Sequence, residues 1–167
     1  MNMNILEYGE VYAEEVKDLL VELQAYLASL DKRGVLTLKD GYREGYFAYV
    51  MKEVRKHNGK IFLAQLDNKT VGLVVCKIFQ GGGESEYTTV CPKVGFISDL
   101  VVAENCRGRR IGRSLLRQAN SFFKQNDCEY TQLEVFAPNA EALKLYKKLG
   151  FEVNCLYMSQ RTDKLDF

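Results

Sequence analysis

The chain has a single histidine, His57, and no Cys-x-x-C pair; its five cysteines, at positions 76, 91, 106, 128 and 155, stand at least fifteen residues apart. A zinc site therefore lacks clustered ligands, and an odd number of scattered thiols fits no disulfide framework, so no metal is expected. The thiols read as reduced core or surface residues of a cytoplasmic protein. Net charge is also missing: 23 Lys and Arg stand against 22 Asp and Glu, a formal +1. With no global field to attract a polyanion or an anionic lipid surface, neither nucleic acid nor membrane is an expected partner. No run of 18 apolar residues occurs, and no basic stretch followed by a short apolar segment opens the chain. Internal repeats and low-complexity segments are absent too.

What is present is 167 residues, which suit one domain, 1–167, able to bury roughly two thirds of its unfolded surface. Asn4 to Tyr8 has the pattern of a short strand. Val16, Leu19, Leu20, Leu23, Tyr26, Leu27 and Leu30 recur at steps of three and four, which predicts a long amphipathic helix over 11–30. A second helix is expected from about Lys39 to Lys56, with Tyr42, Tyr46, Tyr49 and Val50 on one stripe that reads as core packing. Lys60 to Leu66 and Thr70 to Phe79 form strand patterns around the turn residues Asp67-Asn68-Lys69, an antiparallel hairpin. Gly81-Gly82-Gly83 then opens a polar segment reaching Pro92. It reads as a surface loop, or as an acceptor wall in which Glu84 and Glu86 draw in a cationic amine.

The centre of the chain is Phe96 to Arg117: a β-rich run to Val102, a turn, and an amphipathic helix carrying Ile111, Leu115 and Leu116 on one side. A strand, a glycine-bearing turn and a helix start aim several backbone N–H groups and the positive end of a helix dipole at one point, which favours a phosphate. The dinucleotide pattern G-x-G-x-x-G and the nucleotide P-loop with its lysine are both missing there. After this, Thr131 to Phe136 reads as a strand, Asn139 as the cap of a helix to Leu149, Gly150 as its stop, and Phe151 to Ser159 as a last strand. The order β-α-α-β-β-β-α-β-α-β predicts an α/β sandwich with a mixed sheet.

The hexapeptide Arg107-Gly108-Arg109-Arg110-Ile111-Gly112 resembles the acyl-CoA pyrophosphate loop [R/Q]-x-x-G-x-[G/A] of the GCN5-related N-acetyltransferase (GNAT) family, with Arg110 where the pattern has its first glycine. The words Asn139-Ala140-Glu141-Ala142 and Leu145-Tyr146-Lys147-Lys148-Leu149-Gly150-Phe151 resemble a later motif of the same family. The resemblance covers roughly 60–159 and implies a GNAT-like mixed β-sheet flanked by helices in a single domain. It also implies an acetyl-CoA-dependent N-acetyltransferase acting on a small-molecule or peptide amine. In that reading Asn139 helps bind the coenzyme arm and Tyr146 protonates the departing sulfur; seven residues apart on one helix, they lie about 10 Å apart along its axis.

Acetyl-CoA as cosubstrate then assigns its diphosphate to the backbone of Gly108 to Gly112, with charge-assisted bonds from Arg107, Arg109, Arg110 or Arg113. Its amide-bearing arm would lie along Leu100, Val101 and Val102 as an added strand. For the base, the central strand offers Ser98 and Asp99, expected on opposite faces of the sheet. Asp99 is either that base or a structural carboxylate bonded to nearby backbone, and Ser98 could only position a water. His57 reads as a helix-end cation. Two other readings stay open: an acyl-CoA-binding domain without catalysis, and a nucleic-acid-binding module using the arginines from Arg107 to Arg117. A homodimer paired through an edge strand is compatible with such a fold.

Overall fold

A computed structural model describes residues 3–80 and 92–164, and the chain divides into two compact units, Met1–Glu134 and Val135–Phe167. The 81–92 segment read as loop or acceptor wall, with Glu84 and Glu86, falls outside the described residues except for Pro92.

In the first unit the elements run β1 (Met3–Glu7), α1 (Ala13–Leu30), α2 (Tyr42–Lys56), β2 (Lys60–Leu66), β3 (Lys69–Phe79), β4 (Val94–Val102), α3 (Ile111–Gln125) and β5 (Tyr130–Leu133). The sheet follows chain order, β1-β2-β3-β4-β5, antiparallel up to β4 and parallel between β4 and β5. It is the mixed sheet expected. The β2–β3 hairpin closes through Asp67 and Asn68, both at positive φ (48° and 66°), the conformation that Asp and Asn tolerate best after glycine and that matches the twist of the strands.

Both faces of this sheet are covered, which is why β2 reads as an almost unbroken buried run. On one face Val16, Leu19 and Leu20 of α1 and Val50 and Val54 of α2 pack with Ile61, Leu63, Leu73, Val75 and Val101. On the other, α3 buries Ile111, Leu115, Leu116, Ala119, Phe122 and Phe123. Gly95 is required there: a Cβ would stand 2.2 Å from the Phe123 ring. Truncating fully buried Leu115 to Ala should cost about 2–5 kcal/mol.

Helix α1 stops at Leu30, the end expected from its periodicity. The carboxylate of Asp31 accepts the backbone N–H groups of Arg33 (3.1 Å), Val35 (2.8 Å) and Leu36 (2.8 Å), a local device that turns the chain toward α2. Those bonds, that to Leu36 foremost, hold the Asp31 carboxyl down at about 2.

The second unit holds α4 (Ala140–Lys148). Asn139 caps it, its Oδ1 accepting the Ala142 N–H at 3.3 Å. Gly150, at φ 89°, ends it: Gly150 N donates to Lys147 O and Phe151 N to Tyr146 O, the paired closure of a Schellman motif.

Two strand expectations are corrected. The strand read as Thr131 to Phe136 is β5, Tyr130–Leu133, which pairs with β4 only from Val94 to Ile97. The last strand, Phe151 to Ser159, does not form; no ladder among the described residues includes it, and Val153, Leu156, Tyr157 and Met158 are exposed. Its residues have strand propensity, but propensity without a neighbouring strand to bond gives no strand. Among the described residues no helix is long and apolar enough to cross a membrane.

Candidate active site

Beyond Val102 the chain makes a short 3-10 turn, Glu104–Cys106, and then four residues that set the start of α3. Arg107 is extended, Gly108 is left-handed (φ 77°), and Arg110, the residue before the helix, is left-handed as well (φ 63°, ψ 11°). Arg110 thus takes the backbone shape that the family pattern gives to glycine, at a cost of about 1–2 kcal/mol for an L-residue. It supplies no side-chain cap to α3. The first-turn N–H groups, those of Ile111, Gly112 and Arg113 among them, are therefore left to a ligand or to water, and the helix dipole adds to their pull on an anion.

The arginines divide by role. Arg107 is turned back into its own unit: Nε donates to Val102 O (3.1 Å), the guanidinium lies 4.6 Å from the centre of the Tyr26 ring, and Nη2 is 3.5 Å from Glu22. Glu22 also accepts the Glu104 N–H at 2.7 Å. These contacts pin the turn to α1, with the Arg107 side chain bracing it. Arg109, Arg110 and Arg113 are exposed around the helix start.

The middle of β4 carries the second half of the site. The ladder to β5 ends at Ile97–Leu133, while pairing with β3 continues to Val102. From Ser98 onward β4 therefore presents one open edge within the sheet, along Leu100, Val101 and Val102. The Val101 side chain is buried in the α1–α2 core, so Val101 can offer a ligand only its backbone.

Val75 pairs with Asp99 and Cys76 with Ile97, which makes Ser98 the extra residue of a β-bulge. The bulge corrects the expectation that Ser98 and Asp99 are kept apart on opposite faces. Ser98 Oγ donates to Asp99 Oδ2 at 2.7 Å, and Tyr46 Oη donates to Asp99 Oδ1 at 2.7 Å. Asp99, 5% exposed, is held by these two hydroxyls.

Tyr46 stacks on Tyr42 (5.0 Å between centroids) and on Tyr49 (5.9 Å), and the ammonium of buried Lys77 lies 5.7 Å from the centre of the Tyr49 ring. The stripe read as core packing does pack on the core through Tyr46 and Val50, and it also bonds a carboxylate, while Tyr49 is exposed. Burial, and then the Asp99 charge, push the Tyr42 phenol up to about 12 and the Tyr46 phenol up as well, so both remain hydrogen-bond donors at neutral pH. The spacing of the tyrosines marked one helix face; nothing local in sequence tied Tyr46 to a residue 53 positions away.

In the second unit Tyr146 is 8% exposed and packs edge-on against Phe151 at 5.8 Å. Burial pushes its phenol up to about 12, so it carries its proton at pH 7. His57 follows the end of α2, 4.3 Å from the Phe79 ring and 3.5 Å from Glu53, the helix-end position expected. Among the described residues no three His, Cys, Asp or Glu side chains are grouped to hold a metal.

The model of the Acetyltransferase (GNAT) family matches residues 23–151. An N-alpha-acetyltransferase of Sulfurisphaera tokodaii is 30% identical over 118 residues, covering 70% of this chain and 69% of that protein. The N-alpha-acetyltransferase MAK3 of Arabidopsis thaliana is 35% identical over 106 residues, 64% of this chain but 48% of that protein, so this chain spans about half its length. Among solved structures, a putative acetyl transferase from Pyrococcus furiosus superimposes with a TM-score of 0.73 at 25% identity, covering 96% of this chain and 99% of that one. An aminoglycoside N-acetyltransferase in complex with CoA has a TM-score of 0.74 at 16% identity over 96% of this chain and 95% of its own, a likeness of fold.

Proposed function

This chain belongs to the Acetyltransferase (GNAT) family, and from that premise we propose that it moves the acetyl group of acetyl-CoA directly onto a primary amine of a small molecule or peptide. The names of the two relatives favour an α-amine among these. The observation that carries the proposal is the turn before α3. Left-handed Gly108 and Arg110 lead into a helix start without a side-chain cap, at the end of a strand whose edge is open from Ser98.

Acetyl-CoA supplies the acetyl group as a thioester. The N–H groups from Gly108 to Arg113 fit its diphosphate, with Arg109, Arg110 and Arg113 adding charge and Arg107 bracing the turn. The open edge at Leu100, Val101 and Val102 fits an amide-bearing arm added as a strand, and Asn139 is assigned to the same arm by the family resemblance. As the N–C bond forms, the amine gives up a proton, for which Asp99, steadied by Ser98 and Tyr46, is the acceptor, directly or through water. As the C–S bond breaks, the sulfur needs a proton, and the family resemblance assigns Tyr146 as the donor. Exchange with water restores both groups. We assign this work to 1–167 as one domain, and the free thiols of Cys76, Cys106, Cys128 and Cys155 fit a reducing, cytoplasmic setting.

A thiol-release assay with acetyl-CoA and a panel of amines tests the reading. Amine-dependent release is expected, and Tyr146→Phe should lower kcat about 10²-fold or more at unchanged acetyl-CoA affinity. Coenzyme binding without release for any amine would leave a non-catalytic acyl-CoA-binding domain. Salt-sensitive binding of DNA or RNA without the coenzyme would favour the nucleic-acid module.

A further inference from the structure

Where the chain leaves β4, its backbone N–H groups are satisfied inside the protein: Ala103 N donates to Val71 O (2.8 Å), Glu104 N to Glu22 Oε1 (2.7 Å), Cys106 N to Ala103 O (2.8 Å) and Arg107 N to Glu104 O (3.2 Å). Glu22 is the side chain among these acceptors. It comes from α1, 82 residues away, and it serves the first residue of the 3-10 turn, to which Ala103 gives no side-chain cap. The same Oε1 lies 3.5 Å from Arg107 Nη2. A carboxylate beside a turn suited to a diphosphate opposes the anion by its charge, so its presence there needs another reason. The Arg107 guanidinium offsets that charge, and the bond to Glu104 supplies the reason.

We propose that Glu22 is a positioning residue for coenzyme binding. Its carboxylate holds Glu104 against α1, so the turn that follows is set, and the N–H groups from Gly108 to Arg113 converge before the diphosphate arrives. Without that tie Glu104 loses its acceptor, and the coenzyme must order the turn as it binds, which costs affinity. Tyr26, four residues on along α1 and so on the same helix face, lies under the Arg107 guanidinium at 4.6 Å and continues the contact. The ion pair between Glu22 and Arg107 is partly exposed and contributes little by itself. The charge-assisted bond to the Glu104 N–H is the larger part. This inference rests on the reading of 108–113 as the coenzyme site.

The test measures CoA affinity by calorimetry on the full chain, together with steady-state constants from thiol release, for the parent, Glu22→Ala and Glu22→Gln. Glu22→Ala should weaken CoA binding about three- to tenfold and raise the KM for acetyl-CoA in step, with kcat and the amine KM within about twofold. Glu22→Gln keeps an oxygen for the Glu104 N–H without the charge and should recover most of that affinity, which separates the hydrogen bond from the ion pair. Unchanged affinity in Glu22→Ala would overturn the proposal. So would tighter binding, the sign of a carboxylate that competes with the diphosphate for Arg107, and so would equal losses in kcat and the amine constants, the mark of a fold disturbed as a whole. Amide exchange at Glu104, followed by NMR without coenzyme, should quicken in Glu22→Ala and stay slow in Glu22→Gln. If the parent binds no CoA, the acetyltransferase assignment falls, and the exchange rates still decide whether Glu22 holds the turn.

Discussion

The turn at 107–110 and the carboxylate at 99 lie on one short path from strand to helix, yet they are made in opposite ways. The turn is a matter of backbone: two left-handed residues in three, an uncapped helix start, and a brace from Arg107. The carboxylate is a matter of side chains from elsewhere, since its Tyr46 partner comes from α2. Backbone N–H groups bind a diphosphate whatever the side chains around them, so that part follows a short pattern. An acceptor site must be assembled by the fold, from residues that no local pattern connects.

The largest effects should separate these two parts cleanly. Asp99→Asn should lower kcat/KM for the amine about 10²-fold or more while the KM for acetyl-CoA stays within about twofold, measured by thiol release. Equal losses in both constants would break the distinction. Gly108→Ala should do the reverse. A Cβ at Gly108 meets nothing within 4 Å, so the cost of about 1–2 kcal/mol is conformational, and it should appear as a rise of up to about tenfold in the KM for acetyl-CoA with the amine KM unmoved.

A smaller, pH-dependent effect belongs to the helix pair that carries Tyr46. Asp31 has its carboxyl lowered from 3.8 to about 2 by the N–H groups it accepts. Its contribution is complete above about pH 4 and is lost as pH falls toward 2, because the folded state must then give up those bonds to take a proton. Asp31→Asn should lower the melting temperature by several degrees at pH 7, and the difference from the parent protein should shrink between pH 4 and 2. A gap that widens on acidification would contradict that sign.

These contrasts explain which parts of the molecule were legible. The Asp67-Asn68 turn, the three- and four-residue steps of α1, the strand-turn-helix at 96–117 and the Asn139 cap are all set by neighbours within a few residues, and each is found where the residues indicate. The features missed or misread depend on distant partners or on register. The bulge at Ser98 arises only when β4 is laid against β3, and it undoes a strict alternation argument for Ser98 and Asp99. The Tyr42, Tyr46 and Tyr49 stripe has the period of a core face and Tyr46 packs against the core, but its bond to a carboxylate 53 residues away has no local signal. The partners of Arg107, Tyr26 and Glu22, likewise come from α1 and leave no local signal. Strand propensity at 151–159 met no ladder.

The smallest effect expected is also the one that tests whether the turn is truly a backbone device. Arg110 holds φ 63° without the freedom of glycine, and it gives the helix no cap that glycine would lack. Arg110→Gly removes the left-handed penalty of about 1–2 kcal/mol and returns about 0.5–1 kcal/mol through the greater entropy of the unfolded chain. The net is a gain of roughly 0.5–1 kcal/mol, a rise in melting temperature of about 1–4 °C for a chain of this size. If the N–H groups dominate diphosphate binding, the KM for acetyl-CoA should change less than about threefold despite the lost charge, which at an exposed helix start contributes little in salt. A rise of tenfold or more, suppressed at high ionic strength, would instead assign the binding at this turn to the Arg110 side chain.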